Sequence, residues 1–493
     1  MLQMIRLGRF VCLPLLLAGR LLLSRPSTPG LVAALPSSAS FLAAASAAGS
    51  AAMRAPPVAK KVRHEMEMFG DVRVDDYYWL RDDSRTNPEV LNYLKEENDY
   101  TDFVMSGTKT FEDQLYAEIK GRIKEDDISA PVRRGPYYYY RRTLKGKEYV
   151  QYCRRLIPNG GAPPSVNDTM PTGPDAPEHV ILDENIKAQE HGYYEIDAFK
   201  VSPNNKLVAY AEDTKGNEIY TVYVIDAETG SPVGAPLKGI TSYLEWAGDE
   251  ALVYITMDEI LRPDKVLDPS LPGRVWLLIF KRVLLQTETL RLLDLLFFLF
   301  PIHLSDSEDG WTWRWDKEDL LSSIKIQDVK LFKDHLVLYE RENGLPKATI
   351  YRLPPIGEAI EHLGSGRTID FIDPVYSIDP EESQFSSNIL RFSYSSMRTP
   401  PSVYDYDMDA GISVLKKIEI VLGSFDSSNY VTERKWATAS DGTYIPISIV
   451  YQKNLVKLDG SDPLLLYGYG SYEVIIDFAI TLGTICFYMH VND

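Results

Sequence analysis

Short stretches of alternating apolar and polar residues fill the middle of the chain. Residues 194–233 hold three such stretches, separated by the polar turns Ser202–Asn205, Lys215–Asn217 and Glu228–Gly230. Alternation with a period of two residues predicts strands that bury one face. A repeat of about 40–45 residues, with a turn roughly every 8–12 residues, is typical of β-propeller blades, although a β-sandwich has the same local signals.

Residues 56–130 show a helical pattern instead. Apolar positions from Val90 to Phe103 recur near helical intervals, and Asn87-Pro88 predicts the start of that helix. The sequence FEDQLYAEIKGRI predicts a second helix. We therefore expect a mainly β protein, with an N-terminal helical segment over 56–130 and a β-propeller over 131–430.

Residues 266–323 interrupt the propeller pattern with a leucine-rich stretch. Its longest uncharged part, Leu295–Leu304, is too short to cross a bilayer, so the sequence predicts no membrane span. A buried helix is one interpretation. The favoured one is a segment foreign to the fold, such as translated intron sequence, which would leave the propeller incomplete.

The pattern changes again after residue 430. A hairpin is predicted to turn at Asp441-Gly442, and the apolar run Leu464–Tyr467 predicts a buried strand of an α/β sheet. We expect residues 431–493 to contain the first strands of an α/β domain, ending in a divergent apolar tail over 474–493.

The first 55 residues are rich in Arg, Ser, Ala and Leu and contain no acidic residue. This composition is typical of a transit peptide and predicts a mitochondrial or plastid location. A secretory signal is the alternative, with FVCLPLLLAG as its apolar core. It is less favoured because basic residues, Arg20 and Arg25, follow this core. A start at Met53 would instead give a cytoplasmic product.

The net charge of -18 is unevenly distributed, because residues 1–64 hold eight basic residues and no acidic one. The acidic remainder repels nucleic acid and favours basic peptides, although solubility alone also accounts for it. The stretch RRGPYYYYRR (133–142) is predicted to be a strand with alternate tyrosines inward, not a nucleic-acid site. The three cysteines, Cys12, Cys153 and Cys486, are far apart and form no CxxC pair.

Three longer stretches, 72–100, 340–354 and 433–473, resemble the prolyl oligopeptidase family of serine peptidases, and its oligopeptidase B branch most. The resemblance implies an α/β-hydrolase domain, built from the N-terminal helical segment and the C-terminal part, under a seven-bladed propeller. It also implies serine-type endopeptidase activity on short peptides, after Arg or Lys, with no metal or cofactor.

The resemblance further gives a role to Tyr469 in the turn YGYG. In such enzymes the second tyrosine of this turn donates its hydroxyl to the oxyanion of the tetrahedral intermediate, which a rigid glycine corner suits physically. The alternative is that Tyr469 only packs beside the strand.

The catalytic serine of this fold sits in a G-x-S-x-G turn, and the Asp and His of the triad follow it in the chain. The 493 residues contain no such sequence, since the surroundings of Ser365 and Ser471 both fail the pattern. We therefore interpret the chain as truncated before the triad and expect it to be inactive. The alternative is a non-catalytic propeller that binds peptides or a partner protein.

The remaining candidate groups carry little chemistry. The adjacent carboxylates Asp258 and Glu259 would face opposite sides of a strand and cannot act as an acid–base pair. The histidines are isolated and lack metal-ligand spacing, so no metal site is predicted; they are His64, His179, His191, His303, His335, His362 and His490.

Overall fold

The computed structural model describes residues 54–158, 163–249, 251–257, 263–267, 324–355, 358 and 363–468. They are mainly β structure, as predicted, and the chain divides into two compact units at Lys120/Gly121. Among these residues, no helix is both long enough and apolar enough to cross a membrane.

The N-terminal unit combines a hairpin with helices. Its elements are β1 (His64–Met68), β2 (Asp71–Asp75), a 3₁₀ turn (Tyr78–Leu80), α1 (Pro88–Met105) and α2 (Lys109–Gly121), which runs across the division. The start of α1 is as predicted: Asn87 is the N-cap, its side chain accepts a hydrogen bond from the backbone N–H of Glu89, and Pro88 occupies the first turn.

Among its described residues, the second unit has four antiparallel sheets of four or more strands, each made of strands that follow one another along the chain. The first sheet consists of β3 (Asp127–Ile128), β4 (Val132–Arg134), β5 (Tyr137–Thr143), β6 (Gln151–Leu156) and β7 (Glu178–Asp183), followed by the short helix α3 (Glu184–Lys187). The second sheet consists of β8 (Glu195–Val201), β9 (Leu207–Asp213), β10 (Tyr220–Asp226), β11 (Leu237–Ala247), β12 (Ala251–Met257) and β13 (Pro263–Leu267).

The third sheet consists of β14 (Ile324–Leu331), β15 (His335–Glu342), β16 (Leu345–Arg352) and β17 (Arg367–Thr368). The fourth sheet consists of β18 (Tyr376–Pro380), β19 (Ile389–Ser396), β20 (Ser402–Asp407) and β21 (Ile412–Ile418). Such successive, chain-ordered sheets give the propeller-like arrangement that the repeat predicts.

The six-stranded second sheet depends on the length of β11. Residues Leu237–Ile240 of β11 pair with β10, whereas Leu244–Ala247 pair with β12, with a register shift between the two halves. Strand β11 is therefore the last strand of the four-stranded set β8–β11 and also the first strand of the set that continues with β12 and β13.

Apolar cores lie between neighbouring sheets. Tyr139 and Tyr152 of the first sheet pack against Val201, Val208 and Tyr210 of the second. The third and fourth sheets share a core in the same way, formed by Phe332, Val337, Tyr339, Ala348, Ile350, Ile369, Ile378, Leu390, Phe392, Tyr394, Tyr406 and Met408. These cores are the main source of stability expected for stacked blades.

The first and fourth sheets also contact each other, and these contacts are largely polar. The guanidinium of Arg391 donates to the carbonyl of Pro131 at 2.6 Å, and the Lys416 ammonium donates to the carbonyl of Asp168 at 2.6 Å. Ion pairs join Lys417 to Asp127 and Arg134 to Glu382. We call this set of contacts the closing interface.

After the fourth sheet, β22 (Tyr430–Thr438) and β23 (Tyr444–Gln452) form a separate hairpin. It turns at Asp441-Gly442, as predicted, with Gly442 at a φ of 89°. The prediction for Leu464–Tyr467 was wrong in this structure. That run forms no strand, and Leu464 and Leu466 are more than 80% exposed, since no described strand pairs with it.

Candidate functional site

Several of the predicted site residues lie outside the described residues. They include Tyr469, the oxyanion donor implied by the resemblance, and the carboxylates Asp258 and Glu259. The histidines His303, His362 and His490 also lie there.

The four described histidines serve four separate local structures. His64 stacks on Tyr78, and the Nε2 of His179 hydrogen-bonds with the carbonyl of Ala227 at 3.0 Å. His191 stacks on Tyr194. His335 is buried, and this burial lowers its pKa. Within the described part of the chain, no group of three or more His, Cys, Asp and Glu side chains could hold a metal ion.

The tyrosine run of β5 is more buried than the sequence predicts. Tyr138, Tyr139 and Tyr140 are all buried, not only alternate ones. The reason is that neighbouring structure covers both faces of β5: Tyr139 belongs to the core with the second sheet, whereas Tyr140 donates to Glu178 at 2.5 Å. The run is a structural element.

Tyrosines and carboxylates converge where the first sheet meets the second. We define the Glu212 cluster by the residues that share this location, namely Tyr152, Glu184, Lys187, Tyr194, Tyr210, Glu212 and Tyr223. Glu212, Glu184, Tyr194 and Tyr210 are each less than 10% exposed. Buried ionisable groups beside aromatic rings are common in binding sites.

The alternation of β9 directs Glu212 into this cluster. Ala209 and Ala211 are fully buried in the core on one side of the second sheet, while Val208 and Tyr210 face the first sheet. Glu212 continues the second series, because successive side chains of a strand point to opposite faces. The strand thus ends with a carboxylate at an inward position.

Cross-strand pairing places aromatic rings in a row beside Glu212. Tyr210 is opposite Phe199 of β8 and opposite Tyr223 of β10 in the ladder. The rings of Tyr210 and Tyr223 stack with centroids 5.4 Å apart, and Phe199 stacks on Tyr152 of the first sheet at 4.1 Å. The cluster therefore has rigid aromatic walls.

Helix α3 supplies the remaining charged groups and is held firmly at its start. Asp183 caps it by accepting from the N–H of Asn185 at 2.9 Å, and Gln151 donates to the same carboxylate at 2.6 Å. The side chain of Asn185 also exchanges two hydrogen bonds with the backbone of Tyr149. These contacts fix the backbone from which Glu184 and Lys187 project.

Glu212 has three polar neighbours in the cluster: the hydroxyls of Tyr194 and Tyr223 and the ammonium of Lys187. The hydroxyl of Tyr194 donates to its Oε2 at 2.9 Å, and the Lys187 ammonium lies 3.9 Å from the same oxygen. Burial, together with the negative charge of Glu212, raises the pKa of Tyr194, so this hydroxyl stays protonated and acts as a donor.

Glu184 lies in a different electrostatic environment. Burial raises its pKa to about 7, although a hydrogen bond with Tyr152 and the charge of Arg141 oppose this effect. Its ionised and neutral forms are therefore both populated near neutral pH. A buried carboxyl of this kind can exchange a proton at neutral pH.

The sequence pattern alone does not identify the Glu212 cluster as a site. One signal was available: in the strand sequence LVAYAED, Glu212 occupies a position in phase with the buried Val208 and Tyr210. The contribution of α3 had no such signal, because a four-residue helix shows no periodicity.

The comparisons with known proteins agree on one family. The family model of the prolyl oligopeptidase N-terminal beta-propeller domain matches residues 56–278 and 318–419. The chain is 31% identical to dipeptidyl aminopeptidase BI of Pseudoxanthomonas mexicana, over 95% of this chain and 70% of that protein. It is 28% identical to protease 2 of Moraxella lacunata, over 84% and 66%.

Solved structures give the same result. Oligopeptidase B from Leishmania major superposes with a TM-score of 0.68 at 25% identity, covering 87% of this chain and 69% of that one. Oligopeptidase B from Trypanosoma brucei shares the fold with a TM-score of 0.68. The chain spans about two thirds of the length of these relatives. The matched propeller and these relatives together show that the chain belongs to the prolyl oligopeptidase family of serine peptidases.

Proposed function

We propose that the described propeller selects short basic peptides for a serine peptidase of the oligopeptidase B type, and that the Glu212 cluster receives a cationic side chain of the peptide away from the cleaved bond. The carboxylates that the family uses for the basic residue at that bond do not map onto these residues. The observation that carries this proposal is the buried carboxylate of Glu212, set among tyrosine rings at the junction of two sheets. The acidic charge of the chain outside its N-terminal segment supports the same preference for cations.

The chemistry of the cluster suits a guanidinium or an ammonium group. A carboxylate gives a charge-assisted hydrogen bond, and the face of a tyrosine ring attracts a cation within about 6 Å. Tyr194 holds one oxygen of Glu212 in place, so that the carboxylate is oriented before a ligand arrives. A neutral side chain of similar size would gain neither interaction.

A binding measurement tests this proposal. The chain should bind an arginine amide in isothermal titration calorimetry, and E212Q should bind it at least about tenfold more weakly, since a hydrogen bond to a charged group contributes about 1.5–3 kcal/mol. The matched control is E148Q, which neutralises an exposed carboxylate between β5 and β6. Equal affinities of E212Q and the unaltered protein would refute the assignment.

We also propose that these 493 residues by themselves do not hydrolyse peptides. They contain no G-x-S-x-G turn, and acyl transfer in this fold requires its activated serine. The expected role of Tyr469 as oxyanion donor depends on a serine supplied by another segment. A fluorophosphonate probe should leave the purified chain unlabelled, and stoichiometric labelling would contradict the proposal.

A non-catalytic binding module is the second candidate. It is favoured by the apolar cores that the described sheets form among themselves. Retention of a basic peptide with no turnover would support this candidate. We further propose import into a mitochondrion or plastid, directed by residues 1–55, which a fluorescent fusion of this segment would test.

A further inference from the structure

We propose that Lys187 occupies the cationic site of the Glu212 cluster in the absence of a ligand, and so acts as an internal competitor of basic peptides. This inference rests on the proposed binding role of the cluster. It adds a regulatory contact to that site: a ligand cation must displace the ammonium of Lys187 before it can approach Glu212.

The position of the Lys187 ammonium is the one expected of a bound ligand cation. Its Nζ lies 5.5 Å from the ring centroid of Tyr210 and 5.1 Å from that of Tyr223. It also lies 3.9 Å from Oε2 of Glu212. Two aromatic faces and one carboxylate thus surround a single positive charge, as they would surround a peptide's basic side chain.

The electrostatics of Lys187 agree with this position. Burial alone would lower its pKa, but hydrogen bonding with Tyr210 and the charge of Glu212 outweigh burial and raise the pKa. The ammonium is therefore stabilised in its charged form. A competing cation would gain the same interactions.

Lys187 can leave the site without unfolding it. Its side chain is 38% exposed, whereas that of Glu212 is 7% exposed, so part of the lysine side chain already lies in solvent. The backbone of α3 is held by Asp183 and Asn185, and a lysine side chain has a flexible four-carbon stem. Displacement consequently requires only side-chain rotation.

Competition of this kind has a measurable consequence. When a site is open only a fraction of the time, the apparent dissociation constant increases by the inverse of that fraction. Removing the internal cation should therefore strengthen binding, even though the substitution deletes a residue that touches the site.

The test uses the full 493-residue chain and agmatine, a small guanidinium compound, in isothermal titration calorimetry. We expect K187M to bind agmatine at least about fivefold more tightly than the unaltered protein, within the usual range of coupling between ligands. K238M, which removes an exposed lysine of β11 in the second sheet, should bind like the unaltered protein.

The outcomes separate this inference from the proposed function. If E212Q abolishes agmatine binding but K187M binds no better than the unaltered protein, the site stands and the competitor role is refuted. If neither the unaltered protein nor K187M binds agmatine, both proposals fall. Binding by K187M alone would support the competitor role and would contradict the binding that the proposed function expects of the unaltered protein.

A second measurement does not depend on the folding of a variant. In the unaltered protein, saturating ethylguanidine, a guanidinium compound without an amine that would consume the reagent, should increase the rate at which an acetylating reagent modifies Lys187. The rate is followed by mass spectrometry and should increase because the displaced amine enters solvent. The rate for Lys238 should stay constant. An unchanged or decreased rate at Lys187 would overturn the inference.

Discussion

The side chain of Glu184 should make the stability of the propeller depend on pH. Its folded pKa of about 7 lies above the ordinary value of 4.5, so the folded state holds this proton more tightly than the unfolded state. The contribution of this bound proton to the free energy of unfolding is complete below pH 4.5, decreases as the pH rises towards 7, and is absent above pH 7. Each pKa unit corresponds to 1.36 kcal/mol.

E184Q keeps the shape of the side chain but cannot ionise. We expect it to match the unaltered protein at pH 4.5 and to exceed its free energy of unfolding by up to about 3 kcal/mol at pH 8. Urea unfolding at both pH values, followed by circular dichroism, measures the difference. E148Q, an exposed control, should show no such change, and a pH-independent effect of E184Q would contradict the assignment.

Residue identities in the cluster were only partly predictable from the sequence. The alternation along β9 is sufficient to place Glu212 on the face that carries Val208 and Tyr210, because Ala209 and Ala211 occupy the opposite face. The approach of Lys187 depends on where the connection between two sheets runs. The path of this connection is set by how the first sheet packs on the second. The local sequence pattern does not encode that packing.

At the scale of single elements, α1 offers a direct test of local sequence signals. Its first turn has two supports: the Asn87 side chain accepts from the N–H of Glu89 at 3.0 Å, and Pro88 supplies a backbone angle suited to the first turn. N87A removes the capping acceptor and should cost about 1 kcal/mol, whereas N87D should be nearly neutral. Thermal unfolding by far-ultraviolet circular dichroism would measure both, and equal melting of N87A and N87D would contradict the capping role.

Elements with local determinants were predicted well, and those that depend on distant partners were not. The turn at Asp441-Gly442 formed as predicted because Gly442 tolerates a positive φ that other residues resist. Leu464–Tyr467 has an apolar pattern typical of a buried strand. A strand also needs a neighbour to satisfy its backbone, and the described residues provide none.

At the scale of the whole propeller unit, the junctions between sheets differ in kind. The first and second sheets share an apolar core, as do the third and fourth, whereas the closing interface joins the first to the fourth mainly through charged and polar groups. A family resemblance predicts the propeller but not this difference, since it arises from side chains about 250 residues apart.

The closing interface should therefore be sensitive to single charge deletions. Arg391 makes two hydrogen bonds to Asp405, at 2.6 and 2.9 Å, and reaches the carbonyl of Pro131, with both side chains of the pair about 90% buried. R391M removes the contact with Pro131 and leaves Asp405, which lies opposite Arg391 in the fourth sheet, with the Lys416 ammonium 3.9 Å away as its remaining cationic neighbour. Breaking a buried pair of this kind typically costs about 3–5 kcal/mol.

Urea unfolding of R391M, the double variant R391M/D405L and R352M tests this expectation. The double variant should recover much of the stability, because it removes the uncompensated charge as well. R352M breaks an exposed ion pair with Asp409 and should unfold almost like the unaltered protein. Hydrogen exchange should quicken in R391M at residues 163–168 and in β21 before it does in the core between the first two sheets. If R391M is no less stable than R352M, the closing interface does not depend on this buried pair.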